Sequence, residues 1–239
     1  MVTEEFFQNK KIMIVAAHPD DELLGLGASM HKLINNLQVE THVVILGEGL
    51  TSRADKRDTE NWKKELKIHQ NNIKEAQKCI GYQTVNTYDF PDNRFDSVAL
   101  LDLVKTIEKE KSEFQPEIIF THHGGDLNID HQKTFEAVMT ACRPMKGEVV
   151  GAIFTFETPS ATEWSAPTQP SHFIPNVYIN VSEEDVEAKI DGMEKYQFEK
   201  RNYPHPRSPK SLRIRAQYRG LTVGCEFAEA FCLVRSVSG

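Results

Sequence analysis

Apolar residues fall into two rhythms along this chain of 239 residues. Short apolar runs at 11–17, 41–46 and 117–121 read as buried strands, and the mixed segment 85–90 as a further strand continuing the alternation. Between them, apolar side chains recur every three or four positions, the spacing of a helix with one buried face. Residues 22–37 place Leu23, Leu26, Met30, Leu33, Ile34 and Leu37 on one side. Residues 58–80 do the same with Trp62, Leu66, Ile73, Ala76 and Ile80, and Gly81 ends the stripe. Two more helices are predicted at 97–114 and 131–142, the latter closed by Arg143-Pro144. Strictly alternating strands and helices imply an α/β fold with a mostly parallel sheet covered on both faces. Beyond Gly151 the rhythm changes. Strands are predicted at 153–156, 177–181 and 227–234, a helix at 182–202, and a short helix opened by Ser208-Pro209. No low-complexity linker or repeat divides the chain. Residues 1–239 are therefore expected to form one domain, with the last third, about 151–239, completing the active face.

Composition narrows the function classes. The chain is 39% hydrophobic and 26% charged, ordinary values for a globular core. Its net charge of −7 argues against a nucleic-acid partner, which needs a basic face to displace counterions. No apolar run approaches the ~20 residues of a membrane span, and the N-terminal stretch carries no signal-like apolar segment. Cys79, Cys142, Cys225 and Cys232 form no CxxC pair and lie in apolar-periodic segments, as reduced thiols do. A cytoplasmic protein without an integral membrane segment is the expectation.

Two polar stretches break the apolar pattern where strands should end. Ala-His-Pro-Asp-Asp-Glu at 17–22 places His18, Asp20, Asp21 and Glu22 within five positions, and Asp-Leu-Asn-Ile-Asp-His at 126–131 follows another strand. Clustered carboxylates repel one another unless a cation or proton intervenes. His18 and Asp21 are three positions apart on a turn into a helix, and His131 offers a third donor. Two imidazoles and a carboxylate leave a zinc position open, the arrangement of catalytic zinc, where bound water acidifies towards a pKa of ~7. Asp20, beside a ligand, is placed to take a proton from that water. Of His122 and His123, at most one faces the site, because successive strand residues point to opposite faces. Gly25-Leu26-Gly27 lacks the third glycine of a dinucleotide loop and follows an acidic cluster that would repel a pyrophosphate.

These blocks resemble the LmbE/PIG-L-type zinc-dependent N-deacetylases. His-Pro-Arg-Ser-Pro at 205–209, Tyr-Arg-Gly at 218–220 and Phe-Ala-Glu-Ala-Phe at 227–231 extend the likeness from Lys11 to Arg235. The resemblance implies an LmbE-like, Rossmann-type three-layer fold and removal of an acetyl group from an acetamido sugar. It also implies zinc (Zn2+) on His18, Asp21 and His131, with Asp20 as general base and Asp130 orienting a histidine from behind. Iron(II) accepts the same donors. His122 fits the family pattern better than His123, and relatives often form homo-oligomers.

Two positions depart from the family pattern. Several relatives carry histidine where this chain has Asn128, which can donate to an oxyanion but cannot deliver a proton. Leaving-group protonation then falls to Asp20, with His205 contacting substrate or oxyanion. Many relatives also use an Arg-x-x-Glu pair where this chain has His69 and Asn72, and His69 lies on an apolar stripe like a core residue. Arg53, on the Gly-rich loop 47–53, is suited to a phosphate or carboxylate. Asp92 matches an acid that contacts sugar hydroxyls, and Arg207 joins them as a substrate residue. The expected function is hydrolysis of a small-molecule acetamido sugar of the N-acetylglucosamine type. Alternatives are an amidase acting on a larger acyl group or a thiol-sugar conjugate, and a metal- or sugar-binding protein without turnover.

Overall fold

Runs of apolar side chains can be buried on both faces only at the centre of a covered sheet, and the first strand sits there. The computed structural model describes residues 2–167 and 172–237. In it β1 (Lys11–Ala16) lies between β2 (Glu40–Gly47) and β4 (Ile118–His122), parallel to both. Parallel β3 (Thr84–Phe90) adds to β2, and parallel β5 (Ala152–Phe156) adds to β4. β7 (Phe227–Ser236) then runs antiparallel to β5, and β6 (Val177–Val181) antiparallel to β7. The seven-stranded order is β3-β2-β1-β4-β5-β7-β6. After β1 the chain builds outward in one direction, then crosses to build β4 and β5 in the other. The crevice at the carboxyl ends of β1 and β4 is therefore the topological switch point, where open α/β sheets bind ligands.

Pleat alternation divides the core in two. Ile12 and Ile14 face one side, under α1 (Asp21–Leu37), α2 (Lys63–Ile80), α5 (Glu183–Met193) and α6 (Pro209–Val223). Met13 and Val15 face α3 (Leu100–Phe114) and α4 (Ile129–Ala141). The three-layer α/β expectation is thus met, and among the described residues no helix is long and apolar enough to cross a membrane.

Three elements differ locally from the sequence reading. The segment 58–62 is turn, and α2 begins only at Lys63. The helix expected over 182–202 stops at Met193, after which the chain turns to bury the whole Tyr196 ring. The helix opened by Ser208 is not short but 15 residues long. Its buried stripe is only Leu212, Ala216 and Gly220, and a Cβ at Gly220 would stand 2.6 Å from the carbonyl of Glu226.

Helix α1 is broken at Leu26 (φ −152°, ψ 18°), and side chains from two distant elements bond backbone groups at the break. The Ser29 and Ala28 N–H groups donate to the Glu229 carboxylate at 2.7 and 3.4 Å. Lys189 Nζ donates to the Leu24 carbonyl at 2.8 Å and to Glu229 at 2.6 Å. Gly25 permits close packing there, since a Cβ would lie 2.2 Å from the Phe156 ring. This clamp fixes the half-turn that carries Asp21 and Glu22. Removing one partner of a buried ion pair costs about 3–5 kcal/mol. Lys189→Met is accordingly expected to lower the urea midpoint with an unchanged slope, and an unmoved midpoint would count against the clamp.

Candidate metal centre

Leaving β1, the chain passes through Ala17-His18-Pro19 into Asp20, whose φ of 106° is unusual for an L side chain. The strained turn is secured by Glu22. The Asp20 N–H donates to Glu22 Oε2 at 3.0 Å, and the Tyr196 hydroxyl donates to Glu22 Oε1 at 2.5 Å. The Tyr82 hydroxyl donates to the Glu22 carbonyl at 3.0 Å. Burial pushes the Glu22 carboxyl up to about 7. The turn sends Asp20 towards an open cavity and Asp21 into a cluster of imidazoles.

Asp21 Oδ2 accepts from the His18 N–H at 2.9 Å and lies 3.4 Å from His18 Nδ1. It is 3.3 Å from His131 Nε2 and 3.4 Å from His122 Nε2. Burial works against the Asp21 anion, but His131 and His122 outweigh it and hold the carboxyl well below its usual range. Burial likewise opposes the His131 cation, yet Asp21 and Asp126 raise its pKa to about 9. His18 follows the same balance: burial lowers it, and the bonds to Asp130 and Asp21 raise it well above normal.

Two triads could hold a metal ion, His18–Asp21–His131 and His18–Asp92–Asp130, each with donor atoms within 4.8 Å of one another. Hydrogen bonding separates them. In the second, Asp130 already accepts from the Asn93 and Phe95 N–H groups at 2.6 and 2.8 Å and meets His18 Nε2 at 2.9 Å. Asp92 accepts from the Ser52 N–H and hydroxyl at 3.1 and 2.6 Å. In the first, Asp21 Oδ1 and both ring nitrogens of His131 are buried without any hydrogen-bond partner. Buried polar atoms without a hydrogen bond are rare, and these have the donor chemistry of a catalytic zinc site. The first triad fits a cation; the second is occupied in holding His18.

His122 lies behind this triad. Its Nε2 accepts the Ala17 N–H at 2.9 Å, so the ring proton is on Nδ1, facing Thr158 Oγ1 at 3.1 Å. Its ring stacks on His131 at 3.9 Å, and burial pulls its pKa down to about 3. His123 turns the other way, edge-on to Phe173, as strand alternation requires.

Asp20 is buried, and its Oδ2 accepts from Arg207 Nη1 at 2.8 Å. Burial raises its pKa well above normal, and Asp21, Glu199 and Glu22 add to this against the pull of Arg207. The cavity beside it, about 290 Å3, is lined by His18, Asp20, Arg53, Asp92, Asn128, His205 and Arg207 among others, with Asp21, Asp130 and His131 outside its lining. Asn128 caps α4, accepting the Asp130 N–H at 2.8 Å and donating to Asn93 Oδ1 at 3.1 Å. His205 Nδ1 accepts the Arg207 N–H at 3.2 Å, which leaves the neutral ring's proton on Nε2. Arg207 thus meets Asp20, and Arg53 pairs with Glu199.

Several residues escaped the sequence reading. Asp126 Oδ2, 3.3 Å from His131 Nδ1, was visible in the Asp-Leu-Asn-Ile-Asp-His block but not assigned. Glu199, beside three arginines, and Trp164, edge-on to His205 at the cavity rim, carry no local pattern that marks them.

His69 is 2% exposed, and neither ring nitrogen has a partner. Burial, then Arg53, pull its pKa from 6.5 to about 4, with Asp92 opposing. Between those pH values the unfolded chain holds a proton that the folded one does not. Stability therefore rises with pH across the window and is lost as pH falls, by about 1.4 kcal/mol per unit. His69→Phe is expected to flatten that part of the urea-stability profile; an unchanged slope would contradict the buried neutral imidazole.

A doubly covered α/β sheet thus carries a His/Asp cluster that could hold a metal ion at its switch point, where such folds bind ligands. The family described as GlcNAc-PI de-N-acetylase (PIG-L) matches residues 13–142, more than half of the chain, and the protein belongs to that deacetylase family. An Escherichia coli K12 protein named "Uncharacterized deacetylase YaiS" is 29% identical over 196 residues, covering 79% of this chain and 91% of that one. The Pyrococcus horikoshii N,N'-diacetylchitobiose deacetylase superposes with a TM-score of 0.73 at 15% identity, covering 98% of this chain and 87% of that one. The Pseudomonas putida KT2440 4-carboxy-2-hydroxymuconate hydratase GalB superposes with a TM-score of 0.68 at 19% identity, covering 96% and 98%. The fold thus serves more than one reaction, and the reaction must be argued from the site.

Proposed function

We propose that this protein is a zinc-dependent N-deacetylase of a small acetamido sugar. The observation that carries the reading is the buried Asp21 Oδ1 without a hydrogen-bond partner and the His131 nitrogens, each only at ion-pair distance (3.3 Å) from a carboxylate, next to Asp20, which faces the cavity. His18, Asp21 and His131 would hold the cation, and Asp130 would fix the His18 ring from its far nitrogen, the support that metal-bound imidazoles generally have. Such an ion supplies Lewis acidity to the amide carbonyl and acidity to a water molecule.

The remaining steps fall to the chain. Asp20 accepts the proton of the attacking water and passes it to the departing nitrogen. Arg207 holds the Asp20 carboxylate in one rotamer and balances its charge. The Asn128 amide retains one hydrogen beyond its bond to Asn93, and His205 presents Nε2–H; both serve as donors to the oxygen on which negative charge develops. Asp92 and Arg53 line the same cavity and bind sugar hydroxyls or an attached anionic group. The lining is dominated by polar groups, as a hydroxylated substrate requires.

The test is acid release from a panel of N-acetylated sugars, free, glycosidic and nucleotide-linked, by zinc-loaded protein. Acetate and free amine in equal amounts are expected from at least one class. Release only from longer N-acyl substrates would replace the deacetylase by an amidase. Metal and sugar binding with no acid from any substrate would make the protein a binder.

A further inference from the structure

Helix α6 is apolar on two opposite faces. Leu212, Ala216 and Gly220 form its buried stripe. Ile214, Tyr218 and Leu221 recur at helical spacing on the other side and are 45%, 62% and 77% exposed. A helix that is apolar all round is normally enclosed by protein. Tyr203, also exposed, extends this outer face from the preceding loop, together with Pro204 and Pro206. We infer that the face is a docking surface for a second copy of this chain, the two α6 helices packing antiparallel about a two-fold axis near Tyr218.

Shape favours a copy of the same chain. Ser211, Ile214, Arg215 and Tyr218 border an open groove on this face. Their spacing, i, i+3, i+4 and i+7, is that of the hole into which a facing helix inserts one side chain. Leu221 stands further along the same face and is the most exposed large apolar side chain among the described residues. A two-fold axis near Tyr218 carries Leu221 of each copy to the groove of the other, a self-complementary fit.

Charge agrees with that pairing. The same axis sets Lys210, one turn before Ile214, opposite Glu226, just past the end of the other α6. Both residues are exposed, and among the described residues neither forms an ion pair; Lys210 Nζ lies 4.3 Å from the centre of the Tyr203 ring. The arginines of the helix are already taken. Arg213 pairs with Glu183 and Glu187, Arg215 with Glu157 and Glu163, and Arg219 with Glu157. One unpaired lysine is a weak anchor for an anionic bilayer, which recruits clusters of basic residues, whereas in a two-fold dimer it finds its carboxylate twice. The surface also reaches the metal centre. Tyr203, Pro204 and Pro206 border the groove, while His205 and Arg207, alternating with them, line the cavity beside Asp20. A seated copy therefore backs the loop that presents those two side chains.

The experiment measures the mass of the full chain in solution by sedimentation velocity over a range of protein concentrations, so that no outcome depends on turnover. A dimer, or a larger assembly built from such dimers, is expected, and Leu221→Glu should halve its mass. Lys210→Glu and Glu226→Lys should each raise the dissociation constant at least about tenfold, because each reversal acts twice across the axis. Combining the two reversals should restore association, which a misfolded variant could not do. A monomer at every concentration would overturn the inference, and adherence of that monomer to phosphatidylglycerol vesicles would reassign the face to a lipid surface. An assembly whose mass Leu221→Glu leaves unchanged would place the interface elsewhere and overturn it equally. Loss of association in both single reversals without recovery in the double variant would overturn the antiparallel pairing.

Discussion

Asp20→Asn is expected to lower kcat by about 10²- to 10⁴-fold, the usual contribution of a positioned general base, while leaving zinc content near one ion per chain. The amide keeps an oxygen for Arg207 Nη1, 2.8 Å away in the wild type, and keeps the backbone bond to Glu22, so the strained turn should survive. KM should change little, because the lost function is proton transfer. Steady-state kinetics with metal analysis reads both quantities. A variant retaining its zinc and most of its turnover would remove Asp20 from the mechanism and shift attention to His205.

The second large effect concerns metal and stability together. The first turn of α1 and the switch point bury Asp20, Asp21, Glu22, Asp92, Asp126 and Asp130 within a few residues of three imidazoles. A cation that binds only the folded state stabilises it by about 4 kcal/mol when its concentration is 1,000 times its Kd. Zinc should therefore raise the melting temperature of wild-type protein, and a chelator should reverse the rise. In His131→Ala that response should be lost, along with acid release. Thermal melts with and without zinc test this, and an equal zinc-induced rise in His131→Ala would move the metal to another set of donors.

The fold was largely legible because its central strands, such as β1 and β4, are apolar runs and its helices α1 to α3 carry clear stripes. Where reading failed, the information lay in distant contacts. Nothing near Gln197 announces that α5 stops so that Tyr196 can reach Glu22, more than 170 positions earlier. Nothing around Leu26 shows that α1 breaks, because the break is compensated by Lys189 and Glu229. At the site, local blocks disclosed His18, Asp20, Asp21, Asp130 and His131, since their chemistry is concentrated in two short stretches. Roles that depend on a partner were less visible. Arg207, read as a substrate contact, lies on Asp20, and Arg53 is shared with Glu199, whose position beside three arginines only the tertiary structure creates. His69 fits a core stripe in sequence, yet its unsatisfied nitrogens appear only once its neighbours are in place.

The most direct test of the metal-centred account is a zinc titration of metal-stripped protein, with acetate release from an active acetamido sugar measured at each addition. Activity should rise from background and reach its plateau at one zinc per chain, and His131→Ala should stay at background at the same ratio. Full acetate release by protein shown to contain no metal would contradict the account.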